Sequence, residues 1–228
     1  MGAVTLTPPL LLDRVRLQQG GRTILEDLSG SFQPGSLTAL VGANGSGKTT
    51  LLRAIAGLHK LAGGRIEGGG PQRIALLPQG SQLDRGFPIS CLDLVTLAAP
   101  RLGWFRGATP AQRQLALEAL DRVGLAGLEG RSLQALSAGQ FQRLLFARTM
   151  MQDAPVVLLD EPFTAVDTAT AAHLLSVLQD WHAQGRTLIV VLHDMKLVQR
   201  HFPRTLLLTG DGHAVWGATA AVAPRLAA

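Results

Sequence analysis

Eight consecutive residues, Gly42-Ala43-Asn44-Gly45-Ser46-Gly47-Lys48-Thr49, carry the strongest chemistry in the sequence. Their spacing fits G-x-x-x-x-G-K-[S/T]. With 26 glycines, three lysines and 25 serines plus threonines among 228 residues, roughly 0.004 such matches arise by chance. Glycines let successive backbone N–H groups converge on the β- and γ-phosphates of a nucleotide. A helix opening behind the loop points its positive end at the same anion. Lys48 adds a point charge, and Thr49 offers a hydroxyl to Mg²⁺.

A second group lies far along the chain. Val156-Val157-Leu158-Leu159-Asp160-Glu161 is an apolar run closed by two carboxylates. Such a strand delivers its end to the carboxyl edge of a sheet, where open α/β folds bind ligands. Asp160 is placed to hold Mg²⁺ beside Thr49. Glu161 diverges from it and is placed to polarise a water for attack on the γ-phosphate.

These groups need a scaffold, and the pattern predicts one. Short apolar runs alternate with longer helical patterns, which argues for a mostly parallel sheet flanked by helices. Strands are expected at 36–41, 73–77, 156–159 and 187–192, with a helix over 48–55 closed near Gly57. Gly63-Gly64 and Gly68-Gly69-Gly70-Pro71 mark turns around an edge hairpin. From about 80 to 139 helical signals dominate, as in an inserted lobe. There Thr109-Pro110 reads as a cap followed by proline at the first helical position. Leu115, Ala119 and Val123 form the buried face, and Gly124 ends the helix. Asp167 caps a helix running to Gly185, with Leu174, Leu178 and Trp181 on one stripe. A short helix ends before Pro203, and 206–208 with Val215-Trp216 form a terminal hairpin.

Composition bounds the rest. The chain has 46% apolar and 16% charged residues, enough to bury a core. Seven Phe, three Trp and no Tyr argue against a nucleic-acid reader built on stacked aromatics. The net charge of +5 is mild. It suits residence near an anionic leaflet and equally an ordinary solvated surface. Cys91 is the one cysteine, so it cannot form an internal disulfide and reads as a small buried hydrophobe in a reducing compartment. No apolar run approaches the roughly 20 residues of a membrane span. The N-terminal stretch lacks the pattern of a secretory signal, so a soluble protein is expected.

One further motif names a family. Leu136-Ser137-Ala138-Gly139-Gln140 precedes Asp160 by 20 positions and resembles the LSGGQ signature of ABC-type ATPases. The phosphate loop, Gln79, Thr164-Ala165-Val166-Asp167 and His193 follow that family's order over nearly the whole chain. The resemblance implies an α/β P-loop NTPase fold with a mostly parallel core sheet, an N-terminal antiparallel β subdomain and an inserted helical lobe. It implies one domain over 1–228, with the core at about 1–79 and 140–228 and the lobe at about 80–139. It also implies ATP and Mg²⁺ as cofactors. Gly42 through Thr50 and Gln79 would bind nucleotide, and Thr49, Gln79 and Asp160 would hold the metal. Glu161 and His193 would be catalytic, with His193 bonding the γ-phosphate. Ser137, Ala138, Gly139 and Gln140 would contact the ATP of a second, head-to-tail copy, and Asp167 would couple the paired sites.

Two departures stand out. Ala138 stands in place of a glycine of the signature pair, adding a methyl but keeping the backbone donor. Gln19 occupies the position where the family stacks adenine on an aromatic, and its neighbours Arg16, Leu17 and Gln18 are not aromatic either. Weak base recognition is expected, through Arg16 or an amide.

Arg85-Gly86-Phe87-Pro88-Ile89-Ser90-Cys91-Leu92-Asp93-Leu94-Val95 is similar to a stretch of zinc, manganese and iron-chelate importer ATPases. The segment would line a groove for a helix of a membrane subunit. The simpler reading, that Phe87 and Ile89 are lobe-core residues, stays open. The implied partners are an integral membrane permease, a second copy of the chain and, indirectly, a periplasmic or extracellular metal-binding protein, with no nucleic acid. The implied place is the cytoplasm, peripheral on the inner face of the membrane. An iron-chelate or export specificity, or a soluble ABC ATPase without transport, remains the alternative. The histidines other than His193 show no metal-ligand spacing. His59, His201 and His213 read as scattered surface residues.

Overall fold

The computed structural model describes residues 8–68, 73–79, 85–100, 108–164 and 166–226. Two compact units form: 1–76 with 154–161 and 181–228, and 77–153 with 162–180.

The first unit contains two sheets. Strands β1 (Leu10–Gln19), β2 (Arg22–Phe32) and β4 (Gly63–Glu67) make a three-stranded antiparallel sheet in the order β2-β1-β4. β1 buries Leu10, Leu12, Val15 and Leu17. The step from Leu12 to Val15 breaks strict alternation. An irregularity at Arg14, whose φ is 48°, absorbs the extra residue and keeps both halves facing the core. Arg14 N–H then donates to Ser29 Oγ at 2.9 Å.

The larger sheet runs β5-β6-β7-β3-β8-β9, with β3 (Leu37–Gly42), β5 (Ile74–Leu77), β6 (Val156–Asp160), β7 (Thr187–Val191), β8 (Arg204–Leu208) and β9 (Ala214–Ala218). The pairs β6–β7, β7–β3 and β3–β8 are parallel, and β9 closes one edge antiparallel to β8. Every residue of β6 and β7 is buried, as expected of strands covered on both faces. Leu28 and Phe32 of the small sheet share one core with Leu40, Leu158, Ile189 and Leu206 of the large one. Trp216 of β9 meets Phe32 of β2 edge-on, with ring centroids 4.8 Å apart. Helix α1 (Lys48–Ile55) follows β3 and packs on β3 and β6.

The second unit is helical among its described residues. Helices α2 (Cys91–Thr96), α3 (Pro110–Arg122) and α4 (Ala138–Met151) pack on one another. Each opens with a reciprocal capping box, Ser90 with Asp93, Thr109 with Gln112 and Ser137 with Gln140. Cys91 is fully buried, and burial pushes its thiol up. Helix α5 (Thr168–Ala183) buries Leu174, Leu178 and Trp181 as expected. In the first unit, helix α6 (Met195–His201) ends before Pro203.

Three expectations need correction, and one short helix had no sequence signal. Gly63-Gly64 is not a turn before an edge hairpin: both residues lie inside β4, which pairs with β1, while β5 joins the other sheet. Gly69, Gly70 and Pro71 lie outside the described residues. Leu115 is 54% exposed, and the buried face of α3 is Ala116, Ala119 and Leu120, leading to Val123. A stripe of four-residue steps from Leu115 runs along its margin. A one-turn helix α7 (Thr219–Val222) follows β9 and was not anticipated. It is too short to leave a periodic signal. His59 and His201 are half-buried.

Candidate functional site

The parallel strands β6, β7 and β3 lie side by side in the first unit, and the loop from Gly42, Asp160, Glu161 and His193 lie at or just beyond their carboxyl ends. β3 ends at Gly42, and the loop returns into α1 at Gly47. Gly47 has φ of 97°, and a Cβ there would lie 2.3 Å from Ile24 Cγ2 of β2. Glycine is therefore required both by backbone conformation and by space. Ser46 N–H closes the turn onto Ala43 O at 3.2 Å, while Ala43, Asn44 and Gly45 are exposed. Gly47 caps α1 without a side chain, so the first-turn N–H groups have no side-chain acceptor from the cap.

Lys48 is 6% exposed, and its Nζ donates to Gly42 O and Ala43 O, each at 2.8 Å. Burial lowers its pKa, partly offset by the carboxylates of Glu161 and Asp160. Asp160 is 3% exposed. Burial raises its pKa, opposed by a side-chain hydrogen bond with Thr49. Its Oδ1 has no hydrogen-bond partner, and neither does the buried Oγ of Ser46. Thr50 is buried in the first turn of α1.

The orphaned Oδ1 beside the Thr49 hydroxyl offers hard oxygen donors where a divalent cation would be held. The donor set suits Mg²⁺, which prefers few protein oxygens and keeps several waters. An anion accepting from the loop N–H groups would also give Ser46 Oγ an acceptor.

Glu161 begins the turn after β6 with φ of 50°, in the left-handed region. That turn separates its carboxylate from that of Asp160. His193, two residues beyond β7, places Nε2 at 2.7 Å from Glu161 Oε1. The structure thus brings Lys48, Thr49, Asp160, Glu161 and His193 together in one unit.

Gln79, Ser137, Ala138, Gly139, Gln140 and Asp167 lie in the second unit. Gln79 follows β5 and is half-buried. Ser137 Oγ accepts Gln140 N–H at 3.2 Å, and Gln140 Oε1 accepts Ser137 N–H at 2.9 Å. The signature glutamine therefore braces its own helix start. Ala138 is the first helical residue, a position that accommodates a Cβ without strain. Asp167 accepts Thr170 N–H at 2.9 Å and Thr170 Oγ1–H at 2.8 Å, which holds its carboxyl below the usual range. Ala165 lies outside the described residues.

Gln19 ends β1, pairs with Arg22 across the Gly20-Gly21 turn, and is exposed, as is Arg16. Two contacts escaped the sequence reading. His59 Nε2 lies 3.0 Å from Gln18 O, beside that strand end. Gln142, 4% exposed, donates to Pro162 O at 2.9 Å, just past Glu161. A buried glutamine within an apolar helix was the available signal for the second.

A family model described as ABC transporter matches residues 25–164. The zinc transport system ATP-binding protein TroB of Treponema pallidum (strain Nichols) is 36% identical over 204 residues, covering 86% of this chain and 77% of that one. The manganese transport system ATP-binding protein MntB of Bacillus subtilis (strain 168) is 35% identical over 207 residues, covering 88% and 83%. Among solved structures, an inward-facing transporter assigned to the metal-chelate type of ABC transporter superposes with a TM-score of 0.81 at 29% identity, over 93% of this chain and 84% of that one. A bacterial ABC transporter cassette in dimeric form gives 0.76 at 26% identity, over 91% and 98%.

Proposed function

The chain belongs to the ABC transporter family, and on that premise we propose that it is the ATP-binding and ATP-hydrolysing subunit that energises a membrane importer of zinc or manganese. The cluster of Lys48, Thr49, Asp160, Glu161 and His193 at adjacent parallel strand ends carries the ATPase part of this reading. The similarity to zinc and manganese transport ATP-binding proteins supports the cargo.

In this reading the backbone from Gly42 to Thr50 cradles the phosphates and Lys48 neutralises them. Asp160, Thr49 and Gln79 would hold Mg²⁺, which would neutralise phosphate charge. Glu161 takes the proton of the attacking water. His193 bonds the γ-phosphate and, through Nε2, orients Glu161. Ser137 through Gln140 face the ATP bound by a second copy in a head-to-tail dimer, and Asp167 couples the two sites. Segment 85–95 receives a helix of the permease, and a periplasmic or extracellular metal-binding protein delivers the cargo. The chain works as one domain, with a core over about 1–79 and 140–228 and a helical lobe over about 80–139. It sits in the cytoplasm on the inner face of the membrane. Among the described residues no helix is long and apolar enough to cross a membrane. A chelate importer is the second reading, favoured by the similarity to the metal-chelate type transporter.

Deletion of the gene should lower zinc or manganese accumulation, and a plasmid copy should restore it. Unchanged accumulation of both metals rejects the cargo. Glu161→Gln should bind ATP, hydrolyse it slowly and accumulate as a dimer on size exclusion. A monomer with full turnover removes Glu161 from its role.

A further inference from the structure

Two segments of the second unit run antiparallel beside each other. Leu92 N–H donates to Glu129 O and Cys91 N–H to Arg131 O, both at 2.9 Å, and Ser90 bridges Ser132. The Cys91 thiol adds a bond to Arg131 O at 3.2 Å. Farther along, Gln134 Nε2 donates to Gly86 O at 3.2 Å. Arg85 closes the seam. Its guanidinium donates to Leu136 O at 3.4 Å and lies 4.2 Å from the centroid of the Phe141 ring.

Both Arg85 contacts flank the start of α4. Leu136 immediately precedes the cap residue Ser137, so a donor on its carbonyl fixes the direction in which the chain enters the helix. Phe141 is 1% exposed and stands one turn inside. A planar cation over its ring covers the face of the first turn. The same seam carries Phe87, 59% exposed, two residues from Arg85.

We infer that Arg85 is a positioning residue: it fixes the attitude of Ser137 and the first turn of α4, and it ties them to the segment that exposes Phe87. This rests on the reading that Ser137 faces the nucleotide of a second copy. Movement of the segment that exposes Phe87 is thereby linked to Ser137 through the Arg85 contacts with Leu136 and Phe141.

The test uses the full chain carrying Glu161→Gln, with ATP, and compares it with the same chain carrying Arg85→Ala or Arg85→Gln. Dimer dissociation constants come from analytical ultracentrifugation, and nucleotide affinity of dilute monomer from calorimetry. Each dimer holds two copies of Arg85, and both variants remove the cation over Phe141 in each copy, so the dimer should weaken by roughly 10-fold or more in both. Monomer affinity for ATP should stay within about twofold, because the phosphate loop belongs to the other unit. A purely structural defect would lower both. If Arg85→Ala does not fold, Arg85→Gln decides, since it keeps a planar donor for Leu136 O and loses the charge over the ring. Dimers as strong as the parent overturn the positioning role alone. A Glu161→Gln parent that never dimerises with ATP overturns the role of Ser137 and this inference with it.

Discussion

His193 Nε2 lies 2.7 Å from Glu161 Oε1, joining the ends of neighbouring parallel strands β7 and β6. A carboxylate only accepts, so the imidazole nitrogen is the donor in either charge state. The two side chains are one unit, and their replacements should not act independently. Glu161→Gln and His193→Ala should each cut ATP turnover by about 100-fold or more. The double variant should be about as slow as the worse single one. Steady-state phosphate release measures this, and multiplicative losses would show two separate roles.

Asp160 carries a stability signature. Burial holds its pKa above the ordinary 3.8. Between the ordinary and the raised value, the folded chain keeps a proton that the unfolded chain has released. Stability therefore falls as pH rises through that window, and at pH 7 the buried carboxylate opposes folding. Asp160→Asn should melt above the parent at pH 7 in the absence of nucleotide, with the gap closing as pH falls through the window. It should also lose hydrolysis. Calorimetric melting against pH decides; a lower melting temperature at pH 7 contradicts the sign.

Gly47 is constrained twice, by φ of 97° and by Ile24. Gly47→Ala should lose more than about 1 kcal/mol of stability in urea titration. Adding Ile24→Ala removes the clash and leaves the backbone strain. The double variant should therefore be less destabilised than the sum of the singles. Full additivity would mean that Ile24 is not the obstacle.

Gln19 stands exposed at the end of β1, and on the proposed reading it takes the place of a base-stacking aromatic. The parent should bind ATP and GTP with similar affinity. Gln19→Tyr should tighten ATP by about 5- to 150-fold. Competition calorimetry with both nucleotides measures it, and a strong preference of the parent for ATP would place base recognition elsewhere.

The phosphate loop was legible because its residues follow a local spacing rule, and the buried strands, with Asp160 at the end of one, because continuous apolar runs mark burial on both faces. The Glu161–His193 contact was not, because it joins residues 32 positions apart through the pairing of β6 with β7. Likewise, Gly63-Gly64 looked like a turn because glycine weakens strands, and only the pairing with β1 reveals β4. The misplacement of Leu115 on α3, beside the correctly expected Ala119 and Val123, has a different cause. Leu115 is the larger hydrophobe, but the packing of α3 against α2 and α4 admits the small Ala116 and Ala119. The seam from Arg85 to Leu136 has no periodicity at all, since alternating backbone and side-chain donors build it.

The contact between Trp216 and Phe32 gives this chain an optical label of its own. Without tyrosine, near-ultraviolet emission comes from its three tryptophans alone. Trp181 is buried at the end of α5, whereas Trp216 sits where β9 of the large sheet meets β2 of the small one. Separation of the two sheets would change the surroundings of Trp216 and leave those of Trp181 in place. A chain carrying Trp104→Phe and Trp181→Phe would thus isolate a fluorescence signal for loosening between sheets, distinct from global melting.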